Sequence, residues 1–221
     1  MALGPRAAGL GQVPGGHEGH ALTVGVIQYG MGNLGSVLNM FRRIEVDARL
    51  VSTPEEVAAS DRLLLPGVGA FDQATARLEG KGLTSAIRDF AATGKPVLGV
   101  CLGMQLLMDS SAEGVSSGLG LIEGTATRFE PSAGVRVPHM GWNTVTPARP
   151  DALFDELDDP RFYFVHSYHV VPTAPEHVLA RTPHGAEFTS MVRRDNIAGA
   201  QFHPEKSHAF GMRLLTNFAA A

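Results

Sequence analysis

One cysteine, Cys101, stands among 221 residues. A lone thiol cannot close an internal disulfide, so nothing in the chain calls for an oxidising compartment. Positive charge is in short supply too: 18 Lys and Arg face 22 Asp and Glu, a formal net charge of −4. Nucleic acid, a polyanion, would need a basic face that this balance does not provide. No apolar run approaches the roughly 18 residues of a membrane helix. Residues 1–21, MALGPRAAGLGQVPGGHEGHA, include an Arg but no continuous apolar core, and so fail as a secretory signal. Their Gly, Pro and Ala content predicts a disordered tail. There is no internal repeat, no convincing phosphate-binding motif and no mark of a second domain. A cytoplasmic protein is expected, with one domain over 22–221.

What is present is a regular alternation. LTVGVI (22–27), ARLV (48–51), RLLLPGVGAF (62–71) and KPVLGV (95–100) are short, apolar strand candidates. Helical spacing falls between them, at 33–44 with Asn33 as cap, at a capped start in STPEE (52–56), and at 71–79, 83–92 and 102–110. Strands separated by helices imply right-handed crossovers and a mainly parallel sheet covered on both faces, an α/β fold. The second half offers only short strands, at 125–129, 135–137, 142–146, 162–165, 178–181, 187–193 and 197–202, predicting antiparallel additions to the same sheet. A helix over 207–218, capped by Ser207, closes the chain.

Ligands of open α/β sheets bind beyond the carboxyl ends of the strands. Three glycine-rich turns fall there: QYGMGN (28–33), PGVG (66–69) and GVCLG (99–103). The last is the thiol counterpart of the G-x-S-x-G elbow, in which flanking glycines permit a sharp turn that exposes a nucleophile. A helix N-terminus behind the sulfur favours its thiolate form. The bland alternative is a small buried hydrophobe, and this stretch alone leaves both open.

A cysteine nucleophile needs a base, and the base an orienting partner. In GAQFHPEKS (199–207), His203 and Glu205 alternate across Pro204, so an extended segment puts both side chains on one face. His166 and His169 in FVHSYHV tempt a metal reading, but no third ligand accompanies them. Backbone N–H groups of Leu102 and of the PGVG loop are candidates for holding an oxyanion, although a plain tight turn would explain the loop's glycines equally.

PGVGAF, GVCLGMQLL and QFHPEKS, in this order, resemble the class I glutamine amidotransferases. YGMGN, GLGLIEG, VPHMGWN and YFVHSY narrow the resemblance to the glutaminase subunits of imidazole glycerol phosphate synthases, in histidine biosynthesis. The resemblance implies the flavodoxin-like fold of that class and a triad of Cys101, His203 and Glu205 with no cofactor or metal. It implies an oxyanion hole from the N–H groups of Val68 and Leu102, and glutamine contacts from Gly67, Gly69, Gln105, Ser167 and Tyr168. It also implies that ammonia passes to a (β/α)8-barrel cyclase subunit in a heterodimer, with Asn33, Trp142, Asn143 and Lys206 at the interface. Residue by residue the alternatives are a solvent-facing Gln105, a core Trp142 and a merely solvated Lys206. Gln28 departs from the subfamily, where an Asp is expected, and the tail has no counterpart there. Other functions to distinguish are the glutaminase of another pathway, a free-standing cysteine amidohydrolase and a catalytically dead binding subunit.

Overall fold

The computed structural model describes residues 22–131 and 135–221. The tail expected over 1–21 lies outside the described residues. The first half alternates as its periodicity predicts: β1 (Val24–Ile27), α1 (Leu34–Arg43), β2 (Ala48–Val51), α2 (Pro54–Ala58), β3 (Arg62–Gly67), α3 (Phe71–Gly80), α4 (Leu83–Ala92), β4 (Val97–Cys101) and α5 (Leu102–Leu106). Asn33 caps α1 by accepting the Ser36 N–H, and Thr53 and Glu56 close a reciprocal capping box on α2.

The second half adds β5 (Ser110–Ser111), β6 (Gly124–Arg128), β7 (His139–Thr144), β8 (Thr146–Pro147), β9 (Arg161–His166), β10 (Tyr168–Pro172), β11 (Val178–His184), β12 (Ala186–Arg194), β13 (Ile197–Ala200) and α6 (His208–Ala220). The main sheet runs β2-β1-β3-β4-β13-β12-β10-β6-β5, with β11 and β8 branching from β12. Pairing is parallel from β2 through β13 and antiparallel from β13 through β6.

Alternating strand residues feed two cores. Leu63, Leu65 and Val97 pack with α3 and α4 through Ala74, Leu78, Leu83 and Ile87. Leu64, Leu98 and Val100 face the other side, under Phe41 of α1 and Leu214 and Phe218 of α6. Both faces of the central strands are therefore dry, which explains their continuous apolar sequence. No helix among the described residues is long and apolar enough to cross a membrane.

Four expectations need correction. The helix at 102–110 stops at Leu106, because the carbonyls of Leu106, Leu107 and Met108 accept N–H groups from the 119–122 segment instead of continuing a helical ladder. Residues 135–137 form no strand; the strand starts at His139, just after Pro138. That strand does not join the main sheet but pairs with β9 in a separate two-stranded ribbon, with Trp142 opposite Tyr163. Finally, Ser207 takes the N-cap position of α6 but its side chain does not cap the helix: the hydroxyl donates to the His203 carbonyl at 2.6 Å and accepts the Tyr163 N–H at 3.0 Å. The strand β10 had no separate sequence signal.

Candidate active site

Register brings together the PGVG turn, the Cys101 elbow and the segment after β13, whereas no residue of the QYGMGN turn lines the cleft. Gly67 lies opposite Cys101 across β3 and β4, while Ala200 lies opposite Val100 across β13 and β4. The loops leaving these strands therefore converge at one edge, around a cleft of about 330 Å³.

Cys101 occupies the tip of a strained elbow, with φ 55° and ψ −111°, a region L-residues rarely adopt. The flanking glycines have a steric reason beyond the turn. A Cβ on Gly99 would sit 2.6 Å from the Gly103 carbonyl oxygen, and one on Gly103 would sit 1.9 Å from that of Leu65. Helix α5 is thus pressed against β3 and β4 backbone to backbone. Its first residue, Leu102, has no intrahelical acceptor for its N–H.

Val68 and Gly69 border the cleft on the PGVG side, with Gly69 at φ +103°. Gly67 does not line it. It lies beneath the elbow, where a Cβ would meet the Tyr29 hydroxyl at 2.7 Å and the Leu102 Cβ at 2.9 Å. Tyr29 braces the loop by donating to the Pro66 carbonyl at 2.8 Å. Burial above all, and then the nearby Cys101, push the Tyr29 pKa up, so the phenol stays a neutral donor.

His203 enters the cleft from the segment after β13, with its backbone N–H on the Tyr163 carbonyl. Its Nδ1 lies 2.8 Å from Glu205 Oε1, and both side chains are almost wholly buried. The carboxylate fixes the tautomer by accepting from Nδ1. Nε2 has no hydrogen-bond partner among the described residues. Burial by itself would lower the His203 pKa, but Cys101 and Glu205 outweigh it and push the value up to about 9.

Gln105 is 5% exposed and lines the cleft, so it is not the solvent-facing residue that its i+4 position allowed. Its Nε2 donates to the Tyr168 carbonyl at 3.3 Å and to Gln201 Oε1 at 3.2 Å. Ser167, Tyr168 and Lys206 complete the expected lining. Two residues escaped the sequence reading. Glu113 borders the cleft and accepts the Phe71 N–H at 2.9 Å. Gln201 is fully buried against the thiol. Glu113 lies outside every motif, while Gln201 had a signal: it falls within QFHPEKS, two residues before His203.

The remaining expected residues lie away from the cleft. Asn33 is the α1 cap, and Gln28, at the end of β1, does not line the site either. Trp142 is 48% exposed rather than core, stacked on His208 with its edge to Tyr163. Asn143 is bound within the chain, donating to the Pro183 carbonyl and touching His139 Nε2. Lys206, by contrast, belongs to the cleft lining and carries its ammonium over the Tyr163 ring.

His166, which lines the cleft, shares a 2.9 Å hydrogen bond with His139. Burial, first of all, lowers the His139 pKa to about 4 and the His166 pKa to about 3. A buried base with a lowered pKa takes its proton first in the unfolded chain. The stability it contributes is complete above about pH 6.5 and declines as pH falls towards 4, at about 1.4 kcal/mol per pH unit for each group. His203 has the opposite sign: its contribution is complete below about pH 6.5 and is lost as pH rises through 9. Urea unfolding between pH 7 and 5 is expected to show the acid-side loss, and His139→Phe, fitting among Phe164 and Phe188, is expected to flatten it. An unchanged slope would mean that the pair does not stay neutral.

A family model described as glutamine amidotransferase class-I matches residues 26–221. A curated relative from Methanococcus maripaludis, "Imidazole glycerol phosphate synthase subunit HisH 2", is 46% identical over 197 residues, covering 88% of this chain and 98% of its own. One of the same name from Pseudomonas aeruginosa is 46% identical over 195 residues, covering 87% and 96%. In fold, the chain resembles PurLQS from Thermotoga maritima, with a TM-score of 0.72 at 18% identity over 90% of this chain and 98% of that one. An elbow cysteine beside a carboxylate-bound histidine, on this sheet and with these relatives, places the chain in the class I glutamine amidotransferase family.

Proposed function

We propose that this chain is the glutaminase subunit of an imidazole glycerol phosphate synthase, hydrolysing glutamine and handing the ammonia to a cyclase subunit. The observation that carries the reading is the single cleft in which Cys101, the His203–Glu205 pair and the PGVG loop meet, in a chain 46% identical to proteins bearing that subunit's name.

The Cys101 sulfur attacks the side-chain amide carbon of glutamine, and the carbonyl electron pair moves onto oxygen. The N–H groups of Val68 and Leu102 receive that oxyanion. His203 carries the thiol proton to the departing nitrogen; the C–N bond breaks, ammonia leaves, and a γ-glutamyl thioester remains. Water then adds with His203 as base, the C–S bond breaks, and glutamate and the thiol are restored. Glu205 keeps the imidazole in the tautomer that both proton transfers use. Glu113 supplies a carboxylate at the cleft for the α-ammonium of glutamine, while Ser167 and Tyr168 hold its other end.

The β7–β9 ribbon turns Trp142 outwards together with Met140, which is 63% exposed. These apolar groups, with Lys206 at the mouth of the cleft, form the surface for a (β/α)8-barrel cyclase; Asn33 and Asn143 extend it. The test is glutamine hydrolysis by the chain alone and with the cyclase plus its substrate, phosphoribulosyl-formimino-AICAR-phosphate. Near silence alone and strong activation by the liganded partner, with formation of imidazole glycerol phosphate and AICAR, are expected. Activation by the amidotransferase partner of another pathway would move the chain to that pathway. Full activity alone, unchanged by any partner, would make it a free-standing amidohydrolase.

A further inference from the structure

We infer that Gln201, a residue outside the triad, orients the nucleophile's surroundings in two ways: its amide N–H groups face the Cys101 sulfur, and its amide oxygen sets which end of Gln105 meets the ligand. The inference rests on the reading of Cys101 as the reacting sulfur.

The geometry dictates the direction of every bond. A backbone carbonyl can only accept, so the group that Gln105 points at the Tyr168 oxygen, 3.3 Å away, is its Nε2. The same nitrogen lies 3.2 Å from the Gln201 side chain, which must therefore present Oε1. With its oxygen so assigned, Gln201 turns Nε2 to the sulfur at 3.8 Å. One backbone carbonyl thus removes the usual ambiguity of both amides. Gln201 can hold this position because it is fully buried and its backbone N–H is tied to the Ser190 carbonyl at 2.9 Å. Just past the end of β13, where the chain bends over 201–202, its side chain and that of His203 both reach the same nucleophile.

Two consequences follow for chemistry. Sulfur accepts a hydrogen bond far better as thiolate than as thiol, so the Gln201 donor favours the anion once His203 has the proton, and again when the thioester's sulfur departs. Both N–H groups of Gln105 are engaged, so its carbonyl oxygen is the polar atom left for a ligand. That oxygen selects an N–H donor, such as the carboxamide or ammonium of glutamine.

Two substitutions in the full-length chain separate the two roles. Gln201→Met removes donor and acceptor, whereas Gln201→Glu keeps an acceptor for Gln105 and replaces the donor by negative charge. Because Cys101 is the only thiol, its alkylation by iodoacetamide can be followed without interference. At pH 8 both variants are expected to alkylate about tenfold more slowly, near the lower end of the worth of a hydrogen bond to a charged group. The KM for glutamine, measured with the cyclase, is expected to rise several-fold in Gln201→Met and to stay near the original in Gln201→Glu. A merely structural role would move both quantities together in both variants. Should Gln201→Met fail to fold by urea titration, Gln201→Glu decides. Alkylation at the original rate in a folded Gln201→Glu protein overturns the donor role, and a raised KM there overturns the control of Gln105. Absence of glutamine hydrolysis by the unaltered complex would instead defeat the glutaminase reading, leaving the alkylation result to stand alone.

Discussion

Cys101→Ala is expected to reduce glutamine hydrolysis by the activated complex by about 10⁴-fold or more, the order seen when a covalent nucleophile is deleted. The sulfur has no substitute: it is the only thiol in the chain, and no other nucleophilic side chain of the cleft stands at the elbow tip facing His203. Retained activity would mean that His203 and Glu205 activate water directly, and the thioester route would be wrong. Fold stability should respond quite differently. Cys101 holds φ 55°, and a non-glycine residue in such a region costs on the order of 1–3 kcal/mol. Cys101→Gly should therefore raise the urea midpoint while it abolishes activity. That pairing, loss of function with gain of stability, is the signature of strain kept for chemistry rather than for packing. A Cys101→Gly protein of lower stability would show instead that the sulfur is needed as core.

Gly103→Ala carries the second large effect. Within a helix this exchange normally stabilises by about 0.8–1 kcal/mol. Here the new methyl would lie 1.9 Å from the Leu65 carbonyl oxygen, and neither backbone can yield without moving the other. Helix α5 would have to lift from β3, carrying Leu102 and the elbow with it. A loss of about 3 kcal/mol or more is expected in urea unfolding, at the upper end for overpacking, and activity should fall as the proposed oxyanion donors, the Val68 and Leu102 N–H groups, separate. Gly35→Ala is the control. Gly35 lies in α1, and a Cβ there meets nothing within 4 Å, so the same substitution should stabilise. If both variants behaved alike, the close approach of α5 to the sheet would not be the reason for the glycine.

The sequence by itself determined the alternation of the first half, because β1, β3 and β4 are buried on both faces and the longer helices carry a one-sided stripe. The α1 and α2 caps were equally legible, since a cap's partner lies within three residues. Cys101, His203 and Glu205 were legible as candidates for the proposed triad: glycines at −2 and +2 advertise the elbow, but Glu205 reaches Nδ1 from a 3-10 turn over Pro204–Lys206 and not from the extended segment the spacing suggested. The antiparallel half was harder. Strand β10 and the separation of the β7–β9 ribbon depend on pairings between distant segments, and α5 ends early because the 119–122 segment takes its carbonyls. None of these leaves a periodic trace.

Only the tertiary structure decided what surrounds the thiol. Gly67 became a packing surface under Leu102, Glu113 came into the cleft from outside any motif, and Trp142 turned out of the core. The directions of Gln105 and Gln201 hang on one carbonyl, that of Tyr168, 63 residues along the chain from Gln105. A local pattern can show which residues are suited to chemistry. Which atom of each faces the sulfur is a matter of hydrogen bonds between strands remote in sequence, and these exist only once the sheet has set its register.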